Sequence, residues 1–196
     1  MALVLTGDGQ ITADNFTVAT NGNTSVGGTL GVTGTTTNTG LITASAGVAI
    51  GGTGAVNTLD DYEEGTFTPF LNSLSQNPTY SDQVGRYTKI GRMCNIYIRL
   101  TTSTFNGGTG LIKLGGLPFT AASTGNPYYI GSVFALFGFE DYASGLIAQV
   151  NPGANTLDIY EMVPYAGSNY IAYSNTHVQN NGAATFMMTI CLSYEV

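Results

Sequence analysis

Apolar and polar residues alternate strictly in several segments of the second part of the chain. The even-numbered residues are apolar from Cys94 to Leu100 and again from Phe186 to Tyr194. A period of two predicts β-strands that bury one face. From Thr66 onward such segments recur roughly every ten residues, and no helical period lasts beyond one turn. We therefore expect an all-β head of low helix content, a β-sandwich of the jelly-roll type.

Turn-forming residues separate these segments. The loop formed by residues 103–110 is rich in glycine and is expected to return the chain into residues 111–114 as a hairpin. The sequences Asn151-Pro152-Gly153 and Asn180-Asn181-Gly182 predict two further turns.

The segment from Tyr129 to Phe139 differs from the others because both of its faces are apolar. A strand without a polar face needs cover on two sides. The second cover is either a neighbouring subunit or the interior of a thick single-chain core, and the sequence favours the two equally.

The first 58 residues have a different composition, with 12 glycines, 14 threonines, two acidic residues and no basic residue. Such a stretch is typical of disorder or of repetitive β-structure. Leu30-x-Val32 and Val48-x-Ile50 lie between glycines, which favours very short strands joined by tight turns. One chain has too few apolar side chains here to offset the entropy lost on ordering, so we expect several identical chains wound into a trimeric β shaft.

The run Leu59-Asp60-Asp61-Tyr62-Glu63-Glu64-Gly65-Thr66-Phe67-Thr68-Pro69 separates the two parts, and 20 of the 21 aromatic residues follow its start. Tyr80-Ser81-Asp82-Gln83-Val84-Gly85-Arg86-Tyr87-Thr88-Lys89-Ile90-Gly91 and Gly116-Leu117-Pro118-Phe119 come next. In this order the three segments resemble those of tail fibre or receptor-binding proteins of tailed bacteriophages, including cyanophages. The resemblance covers residues 59 to about 120. It implies a homotrimer in which a shaft carries a head that contacts the host.

Charge and composition exclude several classes of function. Five basic residues against 12 acidic ones give a net charge of −7, so the chain has no basic surface for nucleic acid or an anionic membrane. No apolar run is long enough to cross a bilayer, and the first residues do not form a signal peptide, so we expect a soluble protein made in the host bacterial cytoplasm. Cys94 and Cys191 are expected to be buried, reduced thiols.

Candidate catalytic and metal-binding groups are sparse. His177 is the only histidine, which leaves no Ser-His-Asp triad and no histidine-rich metal site in one chain. The acidic cluster Asp60, Asp61, Glu63 and Glu64 could serve glycoside hydrolysis. A structural role is favoured instead, as a turn cap or in bonds to Arg86, Lys89 or Arg92 of the same or an adjacent chain. A cation shared by three such clusters is a further option. We expect no catalytic residue, no cofactor and no enzymatic activity.

Tyrosines in polar loops are the candidates for receptor binding, because Tyr with Ser, Asn and Gly is typical of adaptable recognition loops. The main candidate segment runs from Tyr165 to His177. The predicted receptor-binding residues are Tyr165, Ser168, Asn169, Tyr170, Tyr173, Asn175 and His177, with Tyr128 and Tyr142 as secondary candidates. The alternative is that these tyrosines fold back onto the core.

The sequence thus predicts a homotrimeric phage tail fibre of the virion. Residues 1–15 would attach it to a tail or baseplate protein, residues 16–58 would form the shaft, and residues 59–196 a head that binds host surface polysaccharide or lipopolysaccharide. Two rival interpretations are a tailspike that depolymerises glycan and a structural decoration protein of the virion.

Overall fold

The structure, a computed structural model, describes residues 27–52, 54–72, 78–104, 112–125, 127–136, 145–161, 171–172 and 187–196. The chain divides into two units, Met1–Thr43 and Ala44–Val196. The predicted boundaries at residues 15 and 58 stay predictions.

The described part of the first unit, residues 27–43, contains no strand and is exposed throughout. Bends lie at Thr33-Gly34 and Thr39-Gly40, at glycines that the sequence marks as turn positions. A single copy therefore leaves the backbone between these bends without a partner strand.

The described part of the second unit is built from twelve strands and one short 3-10 turn, Ala55–Asn57. The strands are β1 (Val48–Ala49), β2 (Thr58–Leu59), β3 (Tyr62–Phe67), β4 (Phe70–Leu71), β5 (Thr79–Ile90), β6 (Met93–Thr104), β7 (Lys113–Gly115), β8 (Tyr129–Leu136), β9 (Leu146–Val150), β10 (Leu157–Glu161), β11 (Ile171–Ala172) and β12 (Met187–Glu195). The all-β class and the low helix content are confirmed for the described residues.

Strands β1 and β2 form a two-stranded sheet, and the other ten strands form one antiparallel sheet in the order β3-β5-β6-β12-β8-β9-β10-β7-β4, with β11 beside β10. Strands β3 and β4 lie at opposite ends of this order, yet only Thr68 and Pro69 separate them in the chain. The sheet must therefore curl until its two ends are neighbours. Two side chains of β5 stabilise this arrangement of the sheet ends. The Gln83 side chain donates to the carbonyl of Pro69, and the Tyr80 hydroxyl accepts from the Leu71 amide.

The core lies on the concave face of the curled sheet. The even-numbered residues of β6 from Cys94 to Leu100 and of β12 from Met188 to Tyr194 are buried there, as their alternation predicts. Side chains from β7, β9 and β10 complete the same cluster. The opposite face of the sheet is called the outer face below.

Two expectations about local structure are wrong. The segment from residue 111 to Leu114 does not form a hairpin with β6, because β6 already pairs with β5 on one side and β12 on the other. Strand β7 pairs instead with β10 and β4. Cys191 is exposed while Cys94 is buried, because odd-numbered residues of β12 point to the outer face.

Two turn predictions have different outcomes. Pro152 and Gly153 form the predicted turn, with Gly153 at a φ of 71°. The turn predicted at residues 180–182 lies outside the described residues.

The outer face of β8 stays uncovered within one chain. Ile130 is 60% exposed and Phe134 is 59% exposed, although β8 is an interior strand between β12 and β9. The core of one chain therefore covers only one of the two apolar faces of this strand.

Candidate functional site

The three segments that carry the resemblance meet at one place in the head. Strand β3 pairs with β5 so that Glu63 lies opposite Lys89 and Gly65 opposite Tyr87. The Tyr87 hydroxyl donates to the Glu63 carboxylate, and its ring meets the Phe119 ring edge to face at 5.3 Å between centroids. The Lys89 ammonium lies 5.7 Å from the centre of the same Phe119 ring.

The charged residues around this contact, here called the junction cluster, bond to other groups of the same chain. Lys89 forms an ion pair with Asp61 of the same chain, and the Glu64 carboxylate accepts from the Tyr62 hydroxyl. The hydrogen bond to Glu63 raises the pKa of Tyr87, so this phenol stays protonated and acts as a donor. These contacts agree with the connector role that the sequence favours for the acidic cluster.

Neighbouring acids of the cluster do not face each other. Glu63 lies opposite Lys89 and Glu64 lies opposite Thr88, on the two faces of β3. Glycoside hydrolysis needs two carboxyl groups on either side of one bond, so Glu63 and Glu64 do not form such a pair. In the described part of the chain, no three His, Cys, Asp or Glu side chains come together in a group that could hold a metal.

Of the predicted receptor-binding residues, the structure describes Tyr128, whose side chain is 58% exposed beside β8. The next residue, Tyr129, is half-buried and packs against Tyr194 with 6.3 Å between ring centroids. The other predicted residues lie outside the described residues: Tyr142, Tyr165, Ser168, Asn169, Tyr170, Tyr173, Asn175 and His177. Their assignment stays a prediction.

A buried polar network that the sequence did not indicate joins β7, β9 and β10. Asp158 is 3% exposed, and one carboxylate oxygen lies 2.7 Å from Lys113 Nζ. The other oxygen accepts from the Asn151 amide at 2.9 Å, and Asn151 accepts from Gln149 at 2.7 Å. Lys113 compensates the buried charge of Asp158, as a buried carboxylate requires, although the oxygen that faces Lys113 accepts no hydrogen bond from the described residues.

Strands β3, β5 and β6 carry a charged groove on the outer face. Arg86 lies opposite Thr66 on one side and Tyr97 on the other, while Val84 lies opposite Arg99. These positions enclose two adjoining open grooves of about 410 and 360 Å³ that share Arg86. The described residues that line the first are Val84, Arg86, Tyr97 and Arg99; those of the second are Glu64, Gly65, Thr66, Arg86, Tyr87 and Thr88.

Sequence reasoning did not identify this groove. The signal was the set of polar residues that alternate with the core residues of β6, which marks Tyr97 and Arg99 as outward-facing. The sequence did not show that β5 lies beside β6 in the register that adds Arg86, and this register creates the groove.

No family model matches the chain. Among curated proteins, it is 36% identical over 101 residues to a depolymerase specific for capsule KN4 from Klebsiella phage K64-1; the match covers 50% of this chain and 13% of that protein. Among solved structures, the Dettilon tailspike protein is similar, with a TM-score of 0.48 and 18% identity over 67% of this chain and 23% of the tailspike chain. This chain thus spans less than a quarter of the length of either relative.

The curated relative supports a bacteriophage tail protein. It is a protein of a Klebsiella phage, which agrees with the phage resemblance found in the sequence. The expectation that the protein is not an enzyme is wrong on this finding, since that relative is named as a capsule depolymerase. Among the described residues, no helix has the length and apolarity to span a membrane.

Proposed function

We propose that the chain is a homotrimeric tail protein of the tailspike type, which binds polysaccharide on the host surface and contributes to its degradation. The observation that carries this proposal is the 36% identity to a phage capsule depolymerase over half of the chain. The named substrate of that relative is a capsule, so a surface polysaccharide is the ligand class to test first.

Exposed aromatic rings on the head support glycan binding. Sugar rings present apolar C–H faces that stack on aromatic rings, while their hydroxyl groups bond to polar neighbours. Tyr128 is such a ring, and the proposed main contact is the tyrosine-rich segment from Tyr165 to His177. Three copies of a weak site on one trimer would raise the overall affinity by avidity.

Uncovered apolar residues support assembly of three copies. The described apolar residues of the proposed shaft are mostly exposed in one chain: Leu30 72%, Val32 53%, Leu41 96%, Ile42 64%, Val48 49% and Ile50 61%. Residues 27–58 carry no charge, so a partner selected by charge complementarity does not explain them. Identical copies would bury these residues and would supply partners for the unpaired backbone. In the proposed arrangement, residues 1–15 attach to the tail and Ile130 and Phe134 of the head also face a neighbouring subunit.

The contacts of Asp61 and Glu63 indicate whether these two carboxylates are catalytic. Asp61 and Glu63 are engaged by Lys89 and Tyr87, which favours a connector role. We therefore propose that the catalytic carboxylates of the assembled protein are not Asp61 and Glu63.

The proposal is tested by adsorption of the fluorescently labelled chain to encapsulated cells and to capsule-free mutants of the same strains. A Klebsiella strain with capsule KN4 is a suitable start, followed by other capsule types. We expect adsorption that depends on the capsule. Tyr170→Ala and Tyr173→Ala should reduce it and leave thermal melting nearly unchanged, because the side chains proposed to contact the polysaccharide are exposed and contribute little to the core. Equal adsorption to cells with and without capsule would contradict the proposal.

A further inference from the structure

We infer that the groove on β3, β5 and β6 binds a carboxylate-bearing sugar together with the neutral sugar that adjoins it. This inference rests on the proposed function, since it names the chemical class of the polysaccharide. The site differs from the proposed contact segment Tyr165 to His177, because it lies on strands β3, β5 and β6.

Arg86 is the central group of this site. Its side chain is exposed between the two grooves, and it forms no ion pair within the described part of the chain. Arg99, the second guanidinium of the first groove, lies diagonally across the strand pair and is held by Asp82. Two of the five basic residues of an acidic chain thus line one groove. A guanidinium binds a carboxylate through two parallel N–H donors, so Arg86 is suited to the carboxylate of a uronic acid. Arg99 adds a second positive charge nearby, which Asp82 partly compensates.

Tyr97 and Val84 give the same groove an apolar surface. Tyr97 is 38% exposed and lies directly opposite Arg86, so ring and guanidinium are neighbours. A sugar that stacks on the Tyr97 ring would place a carboxylate substituent within reach of Arg86. The groove volume of about 410 Å³ lies in the usual range of ligand sites, about 300–1,000 Å³.

The second groove carries a carboxylate as well as the shared Arg86, so its charges are balanced. Glu64 contributes a carboxylate to it, and Thr66 and Thr88 contribute hydroxyl groups. A second anionic sugar would be repelled by Glu64, whereas a neutral sugar can accept and donate hydrogen bonds with these groups. The two grooves together therefore match a chain in which acidic and neutral sugars alternate.

The position of the groove also favours solvent access. Its strands are separated from the exposed apolar residues of β8 by β12, so the two features occupy different parts of the outer face. In the proposed trimer, β8 would meet a subunit while the charged groove stays open to a long polymer.

The test uses the full chain and hyaluronan oligosaccharides as the probe, because glucuronic acid and a neutral amino sugar alternate in them. The comparison ligand is the same oligosaccharide with its carboxyl groups reduced to alcohols. Titration calorimetry should show binding of the acidic form that weakens at least tenfold on carboxyl reduction, and that weakens when salt is raised.

Five variants locate the binding. Arg86→Gln should weaken binding about tenfold or more, and Tyr97→Ser should weaken it while Tyr97→Phe keeps the stacking ring and most of the affinity. Arg92→Gln removes the same charge at an exposed position outside the groove and should have no effect. Glu64→Gln removes the carboxylate that repels anionic sugars and should strengthen binding of the acidic probe. Equal binding of acidic and reduced probes, no binding of either, or equal effects of Arg86→Gln and Arg92→Gln would each overturn the assignment.

Two further readouts separate the ways in which the inference can fail. If Arg86→Gln or Tyr97→Ser changes the molecular mass of the assembly, the groove is a subunit contact and the inference is wrong. If the wild type adsorbs to encapsulated cells but does not bind the acidic probe, the proposed function stands and only the groove assignment fails. If it adsorbs to no cell, the proposed function fails regardless of the probe.

Discussion

Gly116 is the residue on which closure of the curled sheet depends most directly. It follows β7 with a φ of 85°, in the left-handed region that favours glycine. A Cβ at this position would overlap the carbonyl oxygen of Thr68, in the two-residue link between β3 and β4. The Gly-Leu-Pro-Phe segment therefore starts with a glycine for reasons of both backbone geometry and space.

Gly116→Ala should lower the free energy of unfolding by about 2 kcal/mol or more, since strain and overlap add. The matched control is Gly125→Ala, because Gly125 has a φ of 80° and a Cβ added there would meet no atom within 4 Å. Urea unfolding should show a clearly smaller loss for the control. Similar losses in both variants would mean that contact with Thr68 does not matter.

Tyr194 gives the core a specific dependence on pH. Its ring is fully buried, and its hydroxyl donates to the Phe119 carbonyl at 3.1 Å. Burial raises its pKa well above the ordinary 10.0. Above pH 10 the unfolded chain loses this proton while the folded chain retains it, so the unfolded state binds fewer protons and stability falls as pH rises.

Chemical unfolding between about pH 8 and 11 should therefore show stability that is level at first and then declines above about pH 10. Tyr194→Phe should be less stable at about pH 8 by about 1 kcal/mol, from the lost hydrogen bond, and should show a shallower decline. An identical slope in both proteins would contradict the assignment of this titration to Tyr194.

At the scale of the elements, alternation predicted which side chains face the core but not which strands pair. The even-numbered residues from Cys94 to Leu100 and from Met188 to Tyr194 are buried as their spacing indicates. The pairing of β6 with β12 joins residues far apart in the chain, such as Cys94 and Tyr194, and no local signal specifies such a partner. The hairpin predicted over residues 103–114 was wrong for this reason, and the groove at Arg86 was missed for the same reason.

The junction between β3 and β5 gives a prediction about its acids. Asp61→Asn should lower the free energy of unfolding by about 0.5–1 kcal/mol, because Lys89 loses its partner at a site where its own side chain is only 12% exposed. Asp60→Asn removes the same charge from the adjacent residue and should have a smaller effect. Thermal melting compares the two. If Asp61→Asn melts normally but abolishes polysaccharide cleavage, Asp61 is catalytic and the connector role is wrong.

At the scale of the whole molecule, the exposed apolar residues predict assembly. Sedimentation or mass photometry of the purified chain should give three times 20.4 kDa. Phe134→Ser should weaken the trimer because it removes one of the exposed apolar side chains of β8, whereas Ser132→Thr, on the same face of the same strand, should assemble normally. A stable, fully folded monomer would contradict the proposed shaft.

We propose that the protein binds a host surface polysaccharide and contributes to its degradation, and the most direct test of this proposal follows the polymer itself. Purified capsular polysaccharides, KN4 among them, are incubated with the full chain and analysed by size-exclusion chromatography together with an assay for new reducing ends. We expect that at least one polysaccharide binds and that its molecular mass falls as reducing ends appear. A protein that binds none of them and shortens none of them would contradict the claim.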